Sequence, residues 1–142
     1  MDNLYLSVIV PVYNEEGAVA VLYQEILNVC QKIDKPFEII FVNDGSSDKT
    51  LDVLKSLSPI KIVNLRANFG QTAAMDAGIK AASGFYLATL DGDGQNDPAE
   101  ISKLIEKLEM DDLDVVSGWR KNRKDTFMKK FSSKCAAFIR KR

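Results

Sequence analysis

Histidine is absent from this chain of 142 residues. That excludes Ser-His-Asp and Cys-His nucleophile activation, and it removes the commonest protein ligand for zinc and copper. Any metal must be held by carboxylates, amides or carbonyls, a donor set that suits hard cations such as magnesium or manganese. Cysteine is scarce: Cys30 and Cys135 stand far apart with no CxxC spacing. This argues against a zinc site or a disulfide framework and for a reducing compartment. Long apolar runs are missing too. The longest, such as Ile39–Val42 and Leu87–Leu90, are strand-sized, far short of the roughly 20 residues that cross a bilayer. Met1–Tyr5 holds two polar residues and no basic cluster, so no secretory leader is expected and the expected location is cytoplasmic.

What is present fits one compact α/β domain: 46% of the residues are hydrophobic and 27% charged,. The net charge of −1 conceals a split, because residues 1–118 carry 9 Lys or Arg against 19 Asp or Glu, whereas residues 119–142 carry 10 basic residues and one acid, Asp125. A basic end on an acidic body suits a polyanion such as phospholipid, nucleic acid or a lipid phosphate; the alternative is a solvated basic helix.

Strand-like and helix-like patterns alternate. Leu6–Val10 is an apolar strand that Pro11 is expected to stop. From Glu16 to Ile33 the apolar residues Val19, Leu22, Ile26, Val29 and Ile33 recur at helical spacing,. Glu38–Asn43 reads as a second strand, and Asp44–Ser47 as a turn into a capped helix over Asp48–Leu57. Ile60–Leu65 is a third strand, and Gly70–Ala82 an Ala- and Gly-rich helix suited to close packing on a sheet. Phe85–Leu90 is a fourth strand. Asp97, Pro98 and Glu100 mark the start of a helix with the apolar face Ile101, Leu104, Ile105 and Leu108. Asp114–Ser117 is a short fifth strand. Phe127, Phe131, Cys135 and Phe138 then recur at helical spacing among lysines and arginines. Such alternation predicts a mainly parallel sheet with helices on both faces, and ligands at the carboxyl ends of its strands.

That rule selects residues. Pro11, Tyr13 and Glu15 follow the first strand, Asp44 the second, Arg66 the third, Asp91, Gly92, Asp93 and Gln95 the fourth, and Arg120 the fifth. Asp91 and Asp93 lie one residue apart in a Gly-containing turn. At ~6 Å and an effective dielectric of ~20 two such charges repel by about 3 kcal/mol, a sign that a divalent cation reverses. Gln95 offers another oxygen, while Gly92 and Gly94 let the backbone approach a ligand closely. Magnesium held by one or two carboxylates completes its shell with substrate phosphates, so the turn reads as a metal–diphosphate site; the alternative is a polar turn in which Asp and Gly supply backbone geometry. Tyr13 could stack on a base and Glu15 accept from a sugar or base, or the segment could be a stopped strand before a capped helix. Asp44 suits a base or ribose, or an Asx turn. Arg66 and Arg120 could clamp a phosphate, or be surface charges.

Four ordered segments carry a resemblance: Val8–Glu15 (VIVPVYNE), Val42–Thr50 (VNDGSSDKT), Asn68–Gln71 (NFGQ) and Leu90–Pro98 (LDGDGQNDP). Together they resemble the family 2 glycosyltransferases of the Rossmann-like GT-A fold, in particular the branch that moves a sugar from a nucleotide diphosphate to a polyprenyl or dolichyl phosphate. Gly118-Trp119-Arg120 and the basic stretch after it are similar to that branch as well. The resemblance implies a nucleotide pocket lined by Pro11, Tyr13, Glu15 and Asp44, with Arg66 and Gly92 beside it. It implies a DxD of Asp91 and Asp93, with Gln95 as a further metal-site group for Mg2+ or Mn2+, and catalytic parts for Asp93 and for Arg120 at the acceptor or diphosphate oxygens. The partners it implies are a UDP- or GDP-sugar and a polyprenyl phosphate, with inversion at the anomeric carbon and no nucleic acid. A phosphate acceptor is already anionic, so the missing histidine is no obstacle.

Family members normally continue beyond this length. Residues 1–124 are therefore expected to be the nucleotide-sugar part of a truncated catalytic domain. Residues 125–142 are expected to form a basic amphipathic helix that leads into an absent portion and meets either an anionic membrane surface or the sheet. An incomplete domain is expected to expose apolar surface and to be prone to self-association. Two other readings compete: a nucleotide-binding module without turnover, and a phosphatase of the haloacid dehalogenase type with Asp91 as nucleophile and Asp93 as acid.

Overall fold

The computed structural model describes residues 4–118 and 138–141. Its order is β1 (Leu6–Val12), α1 (Val19–Ile33), β2 (Phe37–Asn43), α2 (Thr50–Lys55), β3 (Lys61–Asn64), α3 (Gln71–Ala81), β4 (Tyr86–Thr89), α4 (Glu100–Met110), β5 (Val115–Ser117) and β6 (Phe138–Lys141). The strands form one sheet in the order β3-β2-β1-β4-β6-β5. The first four in that order are mutually parallel, with Ile9 opposite both Ile40 and Thr89, so their carboxyl ends share one edge. β6 runs antiparallel between β4 and β5.

The period-2 pattern of β1 divides its side chains between two cores. Leu6, Val8, Val10 and Val12 are buried with α1, α2 and α4, against Leu22, Ile26, Leu54 and Ile101. Ile9 faces the other way, with Ile40, Val42, Leu87 and Ala74 of α3. Helices thus cover both faces, as the alternation predicts. α1 buries Val19, Leu22, Tyr23, Ile26 and Cys30; burial pushes the Cys30 thiol up to about 12,.

Three sequence expectations are corrected. Pro11 does not stop β1, which continues to Val12 with Pro11 opposite Val42. Parity explains this. The Val12 carbonyl accepts from Asp44 N–H on the β2 side, whereas the Ile9 carbonyl accepts from Leu90 N–H on the β4 side. The Pro11 nitrogen therefore points toward β4, beyond the last registered pair Ile9–Thr89, and no ladder bond is lost. α1 begins at Val19 rather than Glu16, and the N–H groups of Glu15 and Glu16 ahead of it donate across to Thr50 Oγ1 and Asp48 Oδ2. The helix expected over 125–142 lies outside the described residues as far as residue 137, and residues 138–141 are a strand. Ile139, fully buried, stands opposite Ala88 on one side and Val116 on the other; pairing with two strands satisfies a backbone that an isolated helical end would leave to solvent.

Candidate active site

Four loops leave the shared carboxyl edge, and each is tied to the next. The first joins the second through Asn14. Its backbone is left-handed at φ 54°, and its Oδ1 accepts from Ser47 N–H at 2.8 Å. Its own N–H donates to Ser46 Oγ at 3.0 Å. Asn is one of the few non-glycine residues that enter this region readily. Glu16 completes the join by accepting from Lys49 N–H at 2.8 Å. Burial acts to raise the Asp48 carboxyl, but hydrogen bonds from the Thr50 hydroxyl and from the Thr50, Glu16 and Asp48 N–H groups outweigh it, and the net shift is downward,.

The second loop joins the third through Asp44. Its carboxylate is buried and accepts from Phe69 N–H at 2.8 Å and Gly70 N–H at 2.9 Å. Both bonds are to a charged acceptor and so are among the stronger kind. Gly70 has a φ of 92°, outside the range that side chains tolerate,. The third joins the fourth through Gln71, whose Nε2 donates to Asp91 Oδ1 at 2.8 Å. The fourth returns to the first at Gly92, where a Cβ would lie 2.5 Å from the Pro11 carbonyl oxygen and 2.6 Å from Val12 Cγ1. Only glycine lets the turn lie on the end of β1.

The four loops carry Pro11, Tyr13, Glu15, Asp44, Arg66, Asp91, Gly92, Asp93 and Gln95, the candidates selected from the sequence; contacts between loops involve Pro11, Glu15, Asp44, Asp91 and Gly92, whereas Gln95 lines a cavity with Glu25, Asn28 and Val29 of α1. They differ in what they offer. Tyr13 is 45% exposed at the rim of the edge, and Glu15 is half-buried beneath it. Arg66 is exposed, its guanidinium carbon 5.7 Å from the centre of the Phe69 ring, a cation–π distance. Asp91 is half-buried, whereas Asp93 and Gln95 are exposed, and Asp93 Oδ1 accepts from Gln95 N–H at 3.0 Å. Asp44 holds the third loop in addition to facing the edge; each of its oxygens keeps a further lone pair. Arg120 lies outside the described residues.

Among the described residues no group of three or more His, Cys, Asp or Glu is placed to cage a metal. The fourth loop carries two carboxylates and an amide, those of Asp91, Asp93 and Gln95. That set fits a hard cation that draws its remaining ligands from a phosphate substrate. Asn14 and Gln71 were missed as organisers. Asn at a strand-to-helix turn signals a left-handed residue, but nothing local announces the bond of Gln71 to Asp91.

Comparison with known proteins identifies the family and the fold. The family described as Glycosyl transferase family 2 matches residues 7–141. Dodecaprenyl-phosphate galacturonate synthase of Rhizobium johnstonii is 43% identical over 98% of this chain and 43% of its own length. Undecaprenyl-phosphate 4-deoxy-4-formamido-L-arabinose transferase of Pectobacterium atrosepticum is 42% identical over 94% of this chain and 42% of its own length. The chain thus spans less than half the length of these curated relatives. Among solved structures, S. aureus TarS 1-349 in complex with UDP superposes with a TM-score of 0.63 at 26% identity, covering 89% of this chain and 40% of that one. Glucosyl-3-phosphoglycerate synthase from Mycobacterium tuberculosis, in complex with Mn2+, UDP and phosphoglyceric acid, gives 0.74 at 16% identity, covering 97% and 56%; that likeness shows the fold alone. The fold is the GT-A fold, and the phosphatase alternative falls with it. The chain belongs to glycosyl transferase family 2.

Proposed function

We propose that this protein acts in sugar transfer from a nucleoside-diphosphate sugar to a polyprenyl phosphate, with inversion at the anomeric carbon. The observation that carries the reading is the ring of four loops around Asp91 and Asp93. It occurs in a chain whose relatives, named for dodecaprenyl and undecaprenyl phosphate, match it over at least 94% of its length. In this reading Tyr13, Glu15 and Asp44 receive the nucleoside. Asp91, Asp93 and Gln95 would hold Mg2+ or Mn2+, and Arg66 and Arg120 would meet phosphate oxygens. Held there, a divalent cation would supply charge neutralisation for the departing diphosphate. The acceptor phosphate oxygen attacks the anomeric carbon as the bond to the nucleotide oxygen breaks. The acceptor arrives with its charge already present, so no general base is required of the chain.

In this reading the basic residues of 119–142 meet anionic headgroups, and the reaction runs at the cytoplasmic face of a membrane. No helix among the described residues is long and apolar enough to cross one. The test is calorimetric titration of the chain with UDP- and GDP-sugars, with and without Mn2+, followed by transfer to undecaprenyl phosphate. Metal-dependent binding and a lipid-linked sugar are the expected results. Binding without transfer would leave a nucleotide-binding module in its place. Asp91→Ala or Asp93→Ala is expected to abolish the metal-dependent part of the affinity, and unchanged affinity in both variants would overturn the site.

A further inference from the structure

Of the two DxD carboxylates, Asp91 accepts a hydrogen bond from another element: Gln71 Nε2, on the first residue of α3, donates to its Oδ1 at 2.8 Å. Asp93 instead bonds within its own turn, to Gln95 N–H. The anchor of Gln71 is firm, because the preceding residues Phe69 and Gly70 are held through their N–H groups by the buried Asp44 carboxylate. At the other end of the contact, Gly92 is wedged against the Pro11 carbonyl, which fixes the backbone that carries Asp91. Both ends of the Gln71–Asp91 bond are therefore set by the fold. The bond restricts the rotation of the Asp91 carboxylate. An amide donor suits that task because it adds no charge to compete with a cation, as a lysine would.

We propose that Gln71 is a positioning residue that orients the Asp91 carboxylate for a divalent cation, so that metal affinity depends on a side chain outside the DxD turn. This rests on the reading of Asp91 as a metal-site residue. Such supporting bonds usually change metal affinity by roughly 10–100-fold when removed. The Asp44 bonds to Phe69 and Gly70 N–H also tie the second loop to the backbone that leads directly into Gln71.

The experiment is Mn2+ titration of the whole chain, alone and with UDP, for the wild type, Gln71→Met, Asp91→Asn and the double variant. Methionine keeps the length and helix preference of glutamine and removes the donor. Gln71→Met is expected to weaken Mn2+ binding about 10-fold, to leave metal-free UDP affinity within about 2-fold, and to have no added effect in the Asp91→Asn background, as for residues that act through one another. A purely structural role for Gln71 would instead lower UDP and Mn2+ affinity together, and would overturn the proposal. Full Mn2+ affinity in Gln71→Met with loss in Asp91→Asn overturns the positioning role alone. Full affinity in both overturns the metal reading of Asp91 as well.

Discussion

At the scale of the residue, the edge depends on side chains that hold backbone rather than ligand. Asn14 shows this best. Its left-handed φ of 54° lets one carbonyl oxygen accept from Ser47 N–H. Asn14→Ala keeps a Cβ in that region, at roughly 1–2 kcal/mol, and loses the acceptor. Asn14→Gly loses only the acceptor. Expected losses of stability are about 2 kcal/mol for alanine and about 1 for glycine, read from urea midpoints. Equal losses would show that the dihedral carries no weight. The DxD pair was legible because both acids sit in one five-residue turn after an apolar run, where spacing alone implies proximity. The parts of Asn14 and Gln71 were not, because their partners stand 33 and 20 positions away and only the fold makes them neighbours. Asp44 falls between: its place at a strand end was legible, its grip on Phe69 and Gly70 was not.

At the scale of the element, composition carried most of the information where one face is buried. The Ala- and Gly-rich stretch that becomes α3 does pack closely. Gly78 is buried, and a Cβ there would run into Ile9 Cγ2 and lie 3.0 Å from Val42 Cγ2. Gly78→Val is therefore expected to destabilise the chain by about 1–3 kcal/mol through overpacking. It should also displace the start of α3, and with it Gln71, so Mn2+ affinity should fall together with the thermal midpoint. An unchanged midpoint would mean that α3 rides further from the sheet than the buried Ile9 and Val42 imply. Boundaries were less legible than elements. The passage of β1 through Pro11 depends on which neighbour its nitrogen faces, and a single strand does not contain that information. The late start of α1 likewise comes with cross-loop bonds from the Glu15 and Glu16 N–H groups to Thr50 and Asp48, which a periodic apolar stripe cannot reveal.

At the scale of the whole molecule, the two ends of the sheet are secured differently. The edge opposite the site is closed by Tyr5 and Tyr86, whose hydroxyls both donate to Glu109 Oε1, at 3.0 and 2.8 Å. Burial first, then the Glu109 carboxylate, pushes both phenols up to about 12. The far side of the sheet rests on β6, the element least visible in the sequence. Four residues that include Arg140 and Lys141 carry no strand signature of their own; their conformation is set by partners more than 20 positions away, in β4 and β5. Among the described residues β6 is the only strand that pairs with β5. Ile139 is 0% exposed and supplies the apolar contact between Ala88 and Val116. Removing its side chain to alanine leaves a cavity at that junction. Ile139→Ala is therefore expected to cost about 2–5 kcal/mol. The loss should be uneven: in native-state hydrogen exchange the amides of Val115–Ser117 should lose protection well before those of β1 and β2, whose pairing does not pass through β6. If the β5 amides kept their protection while global stability fell, β5 would be held by α4 rather than by the strand beside it.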